Sequence, residues 1–167
     1  MNKLDNSQVI ESLQTTFGDH IHQITEPKGL LTVHTDRAHI IEVLQFIKED
    51  ERLQFIYLTD ITAVHYPSSE SEFMIVYHVH SLVHNVRIRI KVPLSKSDLV
   101  IPTATVLWKG ANWMERETYD FYGVDFQGHP DLRRILNMDE MEVFPMRKEY
   151  PLEYPNRVDK KDLYFGR

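Results

Sequence analysis

The 167-residue chain contains no cysteine. That excludes disulfides and any thiolate-held zinc ion or iron–sulfur cluster within these residues, and it fits a reducing compartment. Long hydrophobic runs are missing as well: none approaches the roughly 20 residues that a membrane-spanning helix needs, and the opening MNKLDNSQVI lacks the apolar core of a signal peptide. The expectation is a chain that is soluble or peripheral to a membrane. Net positive charge is also absent. With a formal charge of −6 and an isoelectric point near 5.8, the chain lacks the basic balance that a general nucleic-acid binder uses to neutralise phosphate. There is no Gly-rich phosphate loop, GxSxG, HExxH or dinucleotide fingerprint, and no internal repeat or low-complexity tract. What is present is 42% hydrophobic residues, enough for one ordinary core with a trailing arm.

Local patterns place the elements. Asp5, Asn6 and Ser7 offer capping oxygens ahead of Val9, Ile10, Leu13 and Phe17, a helical stripe that Gly18 ends. Ile21–Thr25 and Leu30–His34 read as two short strands joined at Pro27-Lys28-Gly29, a proline–glycine turn and therefore a hairpin. Thr35 or Asp36 is expected to cap a second helix running to about Asp50, with Ile40, Ile41, Leu44 and Ile47 on its apolar face. Phe55–His65, Glu72–His80 and Asn85–Pro93 are rich in β-branched and aromatic residues, and their short connections suit an antiparallel meander. In the last of them Val86, Ile88, Ile90 and Val92 alternate with Arg87, Arg89 and Lys91, one set for the core and one for water or a partner. Thr103–Trp108 reads as extended, and Asn112 is expected to open a last helix that Gly123 closes. The fold class is thus α+β, a mostly antiparallel sheet with helices packed on one face, over residues 1–123. From 124 to 167 prolines recur at 130, 145, 151 and 155 without periodicity, which predicts an extended, irregular C-terminal arm.

The densest chemistry lies between Glu115 and Leu136, where five acidic and three basic side chains surround aromatics and a Gly128-His129-Pro130 turn. Asn112 and Glu115 have capping-box spacing. Arg116 and Asp120, four apart, share a helical face and can pair, and Glu117 is expected near the positive helix end. Glu115 and Glu117 project from different sides of a helix, a poor arrangement for paired-carboxylate catalysis. His129 reads as a hydrogen-bonding residue of a rigid turn, and Asp131 belongs to the same segment. Of Arg133 and Arg134, which face opposite ways if extended, at least one must find a carboxylate, a carbonyl or a second chain. His78, His80 and His84 could form a His-only zinc site, but no acidic fourth ligand sits at a telling distance. Phe144-Pro145-Met146-Arg147-Lys148-Glu149-Tyr150-Pro151, with Tyr154, Tyr164 and Phe165 beyond, carries too many aromatics for a solvated tail and suits lying along another protein. Deletion of Phe144–Arg167 is expected to leave the preceding domain folded.

Glu115-Arg116-Glu117, two spacers, Asp120-Phe121-Tyr122, six residues to His129, then Arg133, Ile135 and Leu136 resemble the signature of the C subunit of respiratory complex I, the thirty-kilodalton subunit family. Leu58–Val64, Ala111-Asn112-Trp113 and the Arg147-Lys148 stretch extend the resemblance over most of the chain; Val143 departs from it, where the family usually has glycine. The resemblance implies a cofactor-free subunit of a proton-pumping NADH:quinone oxidoreductase, at the cytoplasmic face of a bacterial inner membrane. Flavin mononucleotide, the iron–sulfur clusters and the quinone pocket would belong to other subunits. It implies docking on the D subunit of that complex, with the B and I subunits as further neighbours, membrane association only through the complex, and no nucleic-acid partner. An equivalent subunit of a membrane-bound hydrogenase or ferredoxin-dependent complex is the alternative within the family. A free-standing metal enzyme using His78, His80, His129 and the carboxylates is the rival outside it.

Overall fold

The computed structural model describes residues 4–151; Tyr154, Tyr164 and Phe165 lie outside them. Helix α1 (Asn6–Phe17) begins at a capping box, in which Asp5 takes helix amides while the Gln8 side chain accepts from the Asp5 amide. Gly18 ends it. Strands β1 (Ile21–Thr25) and β2 (Leu31–Thr35) form the expected hairpin. Helix α2 (Ile40–Glu49) starts later than expected, after His39 and with no side-chain cap. Both residues expected to cap it are used elsewhere: the Thr35 hydroxyl donates to the His20 carbonyl and Asp36 meets His22 at 2.8 Å. Ile40, Val43, Leu44 and Ile47 are fully buried, and burying side chains of this size contributes about 1.5–3 kcal/mol each.

Strands β3 (Tyr57–His65), β4 (Phe73–Ser81) and β5 (Val86–Leu94) make the meander, and the five-stranded sheet runs β1-β2-β5-β4-β3. Every neighbouring pair is antiparallel except β2 and β5, which are parallel through Leu31↔Ile88 to His34↔Lys91. The sheet is therefore mixed. Pro93 falls beyond the last β2 partner, where its missing amide costs no bond to that strand. Ile88, Ile90 and Val92 of β5 join Leu31, Val33, Ile75, Tyr77 and Val79 in one core with the apolar faces of α1 and α2. Arg87, Arg89 and Lys91 stand on the opposite face.

Helix α3 (Ala111–Tyr122) lies beside β3, the far edge of the sheet. The Thr118 hydroxyl donates to the Ile61 carbonyl, so the helix covers an edge that would otherwise offer unpaired backbone. Before it, strand β6 (Val100–Pro102) leads into a short 3-10 turn at Ala104–Val106, not the extended segment expected. Thr103 accounts for the turn, since its hydroxyl accepts the Thr105 amide as a cap. After α3, strand β7 (Asp125–Gln127) pairs in parallel with β6, and Val124 and Phe126 are buried. The regular body thus continues past Gly123 to Gln127.

Candidate functional site

The signature residues divide between two places on α3, one inside the body and one at the helix end. Glu115 faces inward. The helix starts at Ala111 with Gly110 before it and no side-chain cap, so the capping box expected of Asn112 and Glu115 is absent. Instead the Glu115 carboxylate accepts from the Thr103 hydroxyl at 2.5 Å and the Ala104 amide at 2.6 Å, fully buried. It ties α3 to the 3-10 turn. The early start also leaves Glu117 past the first turn, exposed and away from the positive helix end.

His129 closes over the same cluster. The Asp131 amide donates to Nδ1, which places the ring proton on Nε2, and that nitrogen donates to the Asn112 carbonyl at 3.1 Å. The 3.9 Å separation from Glu115 is therefore proximity to an uncharged ring and not an ion pair. Burial pushes the Glu115 carboxyl up to about 7, against the pull of the Thr103 hydroxyl and the Ala104 amide. Burial first, then the Glu115 charge, raises the Tyr77 hydroxyl well above its ordinary value; it has no hydrogen-bond partner among the described residues.

A carboxyl raised from 4.5 to about 7 stabilises the folded chain below pH 4.5, and that contribution is lost as pH rises through 7, because the folded state holds the proton longer. From pH 5 to 8 the loss is about 2 kcal/mol. Glu115→Gln should flatten this part of the stability profile in urea titrations at each pH. Parallel profiles for parent and variant would show that Glu115 does not titrate there.

The second place is the C-terminal end of α3, where the arm is fastened. Arg116 and Asp120 share a face as their spacing requires, but the ion pair expected between them does not form. Both are engaged by the arm. Arg116 donates from Nε and Nη2 to the carbonyls of Arg133 and Arg134, while Asp120 Oδ2 accepts the amides of Ile135, Leu136 and Asn137 at 2.8–3.1 Å. Asp120 Oδ1 takes Arg134 at 2.7 Å, with both side chains almost wholly buried. Arg134 also donates to the carbonyls of Asp120, Met141 and Val143. Burial alone would raise the Asp120 carboxyl, but the amides of Asn137 and Leu136 and the Arg134 guanidinium hold it well below the usual carboxylate range.

A helix leaves its last four carbonyls without helical partners. In α3 all four are taken: Tyr119 by the Gly123 amide, Asp120 by Arg134, Phe121 by the Met146 amide and Tyr122 by Arg147 Nε. Two of these donors are guanidinium groups at the negative end of the helix dipole, which adds to their hold. Phe144 packs edge-on to Tyr119 with Arg134 and Arg147 over its ring, at 5.2 and 4.6 Å from its centre. Lys148 contributes its amide to His65 Nδ1. The arm is therefore part of how α3 ends, and deletion of Phe144–Arg167 would unsettle the helix rather than leave the body untouched.

Asp131 and Arg133 pair with each other at 2.9 Å on the surface, where solvent screens the contact and leaves it little weight in stability. His78 accepts from Arg89 Nε at 2.9 Å, and His80 meets Asn85 across the next turn. No group of three metal-ligating side chains comes together among the described residues. Sequence reasoning missed Thr103 as the partner of Glu115 and Gly123 as the seat of Phe144. The Thr103-Ala104-Thr105 cap was the one readable sign of the first.

Comparison with known proteins agrees with this architecture. The family described as "Respiratory-chain NADH dehydrogenase, 30 Kd subunit" matches residues 33–156. The C subunit of an NADH-quinone oxidoreductase from Citrifermentans bemidjiense is 42% identical over 94% of this chain and 96% of its own length. A protein from Acinetobacter baylyi, named as the C/D subunit of NADH-quinone oxidoreductase, is 44% identical over 85% of this chain, which spans 25% of that longer protein. Among solved structures, a trypsin-resistant fragment (1-134) of Nqo5 superposes with a TM-score of 0.66 at 30% identity, covering 75% of this chain and 98% of the fragment. A chain of the membrane-bound sulfane sulfur reductase, an archaeal respiratory membrane complex, superposes at 0.74 over 87% of this chain and 85% of its own, and at 23% identity it shows the fold alone. The chain belongs to the family of the respiratory-chain NADH dehydrogenase 30 kDa subunit.

Proposed function

We propose that this chain is a cofactor-free assembly subunit in the peripheral arm of a proton-translocating NADH:quinone oxidoreductase. It would support electron transfer from NADH, through flavin mononucleotide and iron–sulfur clusters held by other subunits, to quinone, and have no activity alone. Its place would be the cytoplasmic side of a bacterial inner membrane, reached through the complex; no helix among the described residues is long and apolar enough to cross a bilayer. The observation that carries this reading is how the arm is presented. Its backbone and guanidinium groups are fastened to α3, while Leu136 and Met138 turn outward at 65% and 71% exposure. Large apolar side chains held in place but uncovered suit a protein interface.

The D subunit of complex I is the proposed main partner, with other peripheral-arm subunits such as B and I nearby. The relative whose name joins C and D, in which the matching part is one quarter of the whole, supports that pairing. An equivalent subunit of a membrane-bound hydrogenase or ferredoxin-dependent complex is the second reading, and the proteins that copurify with the chain decide between them. Leu136→Asp combined with Met138→Asp should leave the melting temperature of the isolated chain within about 2 °C of the parent, since exposed substitutions rarely exceed ±0.5 kcal/mol. The same variant should fail to copurify with the D subunit from membranes. Normal assembly of that variant would refute a docking role for the arm.

A further inference from the structure

The face of the sheet away from α1 and α2 carries charge of the sign opposite to the whole chain. Arg87, Arg89 and Lys91 follow one another on that face of β5, with His78 opposite Arg89 on β4 and His34 opposite Lys91 on β2. Other arginines of the described residues have carboxylates or backbone carbonyls to hold: Arg37 with Asp98, Arg52 with Asp50, Arg133 with Asp131, and Arg116, Arg134 and Arg147 in the arm. Arg87, Arg89 and Lys91 meet no carboxylate within ion-pair distance among those residues; Arg89 reaches only the uncharged nitrogen of His78. Among the described residues, Asp60 lies 3.8 Å from His78 at the β3 edge, and Asp36 is held by His22 at 2.8 Å on the His34 side of the cluster. The field of the cluster shows in its members. Burial and then Arg89 lower Lys91, while burial and then Lys91 lower His34.

We infer that this open sheet face, centred on Arg87, Arg89 and Lys91, is a second docking surface that takes an acidic segment of another protein chain. Alternate residues of a strand stand about 6.6–6.8 Å apart, so the three cations repeat at the spacing of carboxylates at every second position of an extended segment. The chain's own last residues do not fit the part, because Arg157, Lys160, Lys161 and Arg167 outnumber Glu153, Asp159 and Asp162. Nucleic acid and anionic lipid fit poorly too, since a body of net charge −6 repels an extended polyanion beyond the contact itself. The proposal draws on the assembly role only in expecting the partner to be protein.

The test uses the full chain and a ten-residue peptide of alternating Glu and Thr, with the Lys–Thr analogue, a single-stranded oligonucleotide and phosphatidylserine vesicles as comparisons. The expected result is binding of the Glu–Thr peptide alone, weakening as salt is raised, and reduced about tenfold or more in the Arg87→Glu, Lys91→Glu variant with unchanged thermal unfolding. In the native complex, a photo-crosslinking residue in place of Arg87 should attach to an acidic stretch of another subunit. Equal peptide binding by parent and variant, no binding by the parent, tighter binding of oligonucleotide or vesicles, or crosslinks only to non-acidic segments would each overturn the proposal. Failure here with loss of assembly in the Leu136, Met138 variant would remove this face and leave the assembly role standing.

Discussion

Asp120→Ala should lower the stability of the folded chain by about 3–5 kcal/mol and release the arm, because it strips the partner from a buried guanidinium. The same substitution leaves the amides of Ile135, Leu136 and Asn137 without their shared acceptor, and each buried donor so abandoned adds a desolvation penalty of about 1–3 kcal/mol where water cannot replace the bond. Urea denaturation measures the loss. Limited trypsin digestion reports the release, since Arg133 and Arg134 lie in the freed stretch and should become the first sites cut. Arg134→Ala should resemble it, and the double variant should cost less than the two single losses together, as for any pair that acts as a unit. Asp120 also sets an acid limit. Its carboxyl sits below the ordinary range when folded, so its contribution is complete above the unfolded value of 3.8 and is lost as pH falls below that. The sign is opposite to that of Glu115, whose contribution disappears on the alkaline side. A stability change under 1 kcal/mol for Asp120→Ala would show that the arm is held by other means.

Gly123→Ala should cost about 3 kcal/mol although it adds only one methyl group. Gly123 has φ of +73°, a left-handed conformation that penalises a Cβ by about 1–2 kcal/mol. The Cβ would also lie 2.5 Å from Phe144 Cε2 and 2.6 Å from Arg147 Nη2, and a rigid ring cannot yield without leaving Tyr119 and both arginines. Overpacking of this kind costs about 1–3 kcal/mol. Two comparisons separate the contributions. Gly29 has a similar φ of +77° with nothing within 4 Å of a Cβ, so Gly29→Ala should show the conformational part alone, about 1–2 kcal/mol. Adding Phe144→Leu to Gly123→Ala should recover part of the loss by opening room. Equal effects at Gly29 and Gly123 would mean that Phe144 does not seat against the glycine.

Part of the candidate site was legible in the sequence and part was not, for a common physical reason. Arg116 and Asp120 were readable as neighbours on one helical face, because that follows from four-residue spacing. Their partners were not. Arg116 holds carbonyls 17 and 18 residues away, and Asp120 holds amides 15 to 17 residues away, in a segment with no periodicity to place it. The local ion pair was the nearest solution available to the sequence, and three converging amides with a buried guanidinium outcompete it. Glu115 shows the same limit. A capping box is recognised by a three-residue interval, yet Thr103 and Ala104, 12 and 11 residues earlier, drew the carboxylate into the interior.

What the sequence determined by itself is whatever rests on neighbours a few residues apart. The Asp5 cap, the Pro27–Gly29 hairpin, the apolar stripes of α1 and α2, the alternation along β5 and the stop at Gly123 all depend on spacing, turn chemistry and side-chain size. The signature from Glu115 to Leu136 identified the family, and the absence of cysteine excluded thiolate-held clusters from these residues. Only the tertiary structure decided that β5 lies parallel to β2 at the centre of the sheet, that β7 returns to β6, and that the arm completes the end of α3. These arrangements are set by where a distant segment can satisfy backbone donors and acceptors while burying its apolar side, and no local interval in the chain encodes that choice.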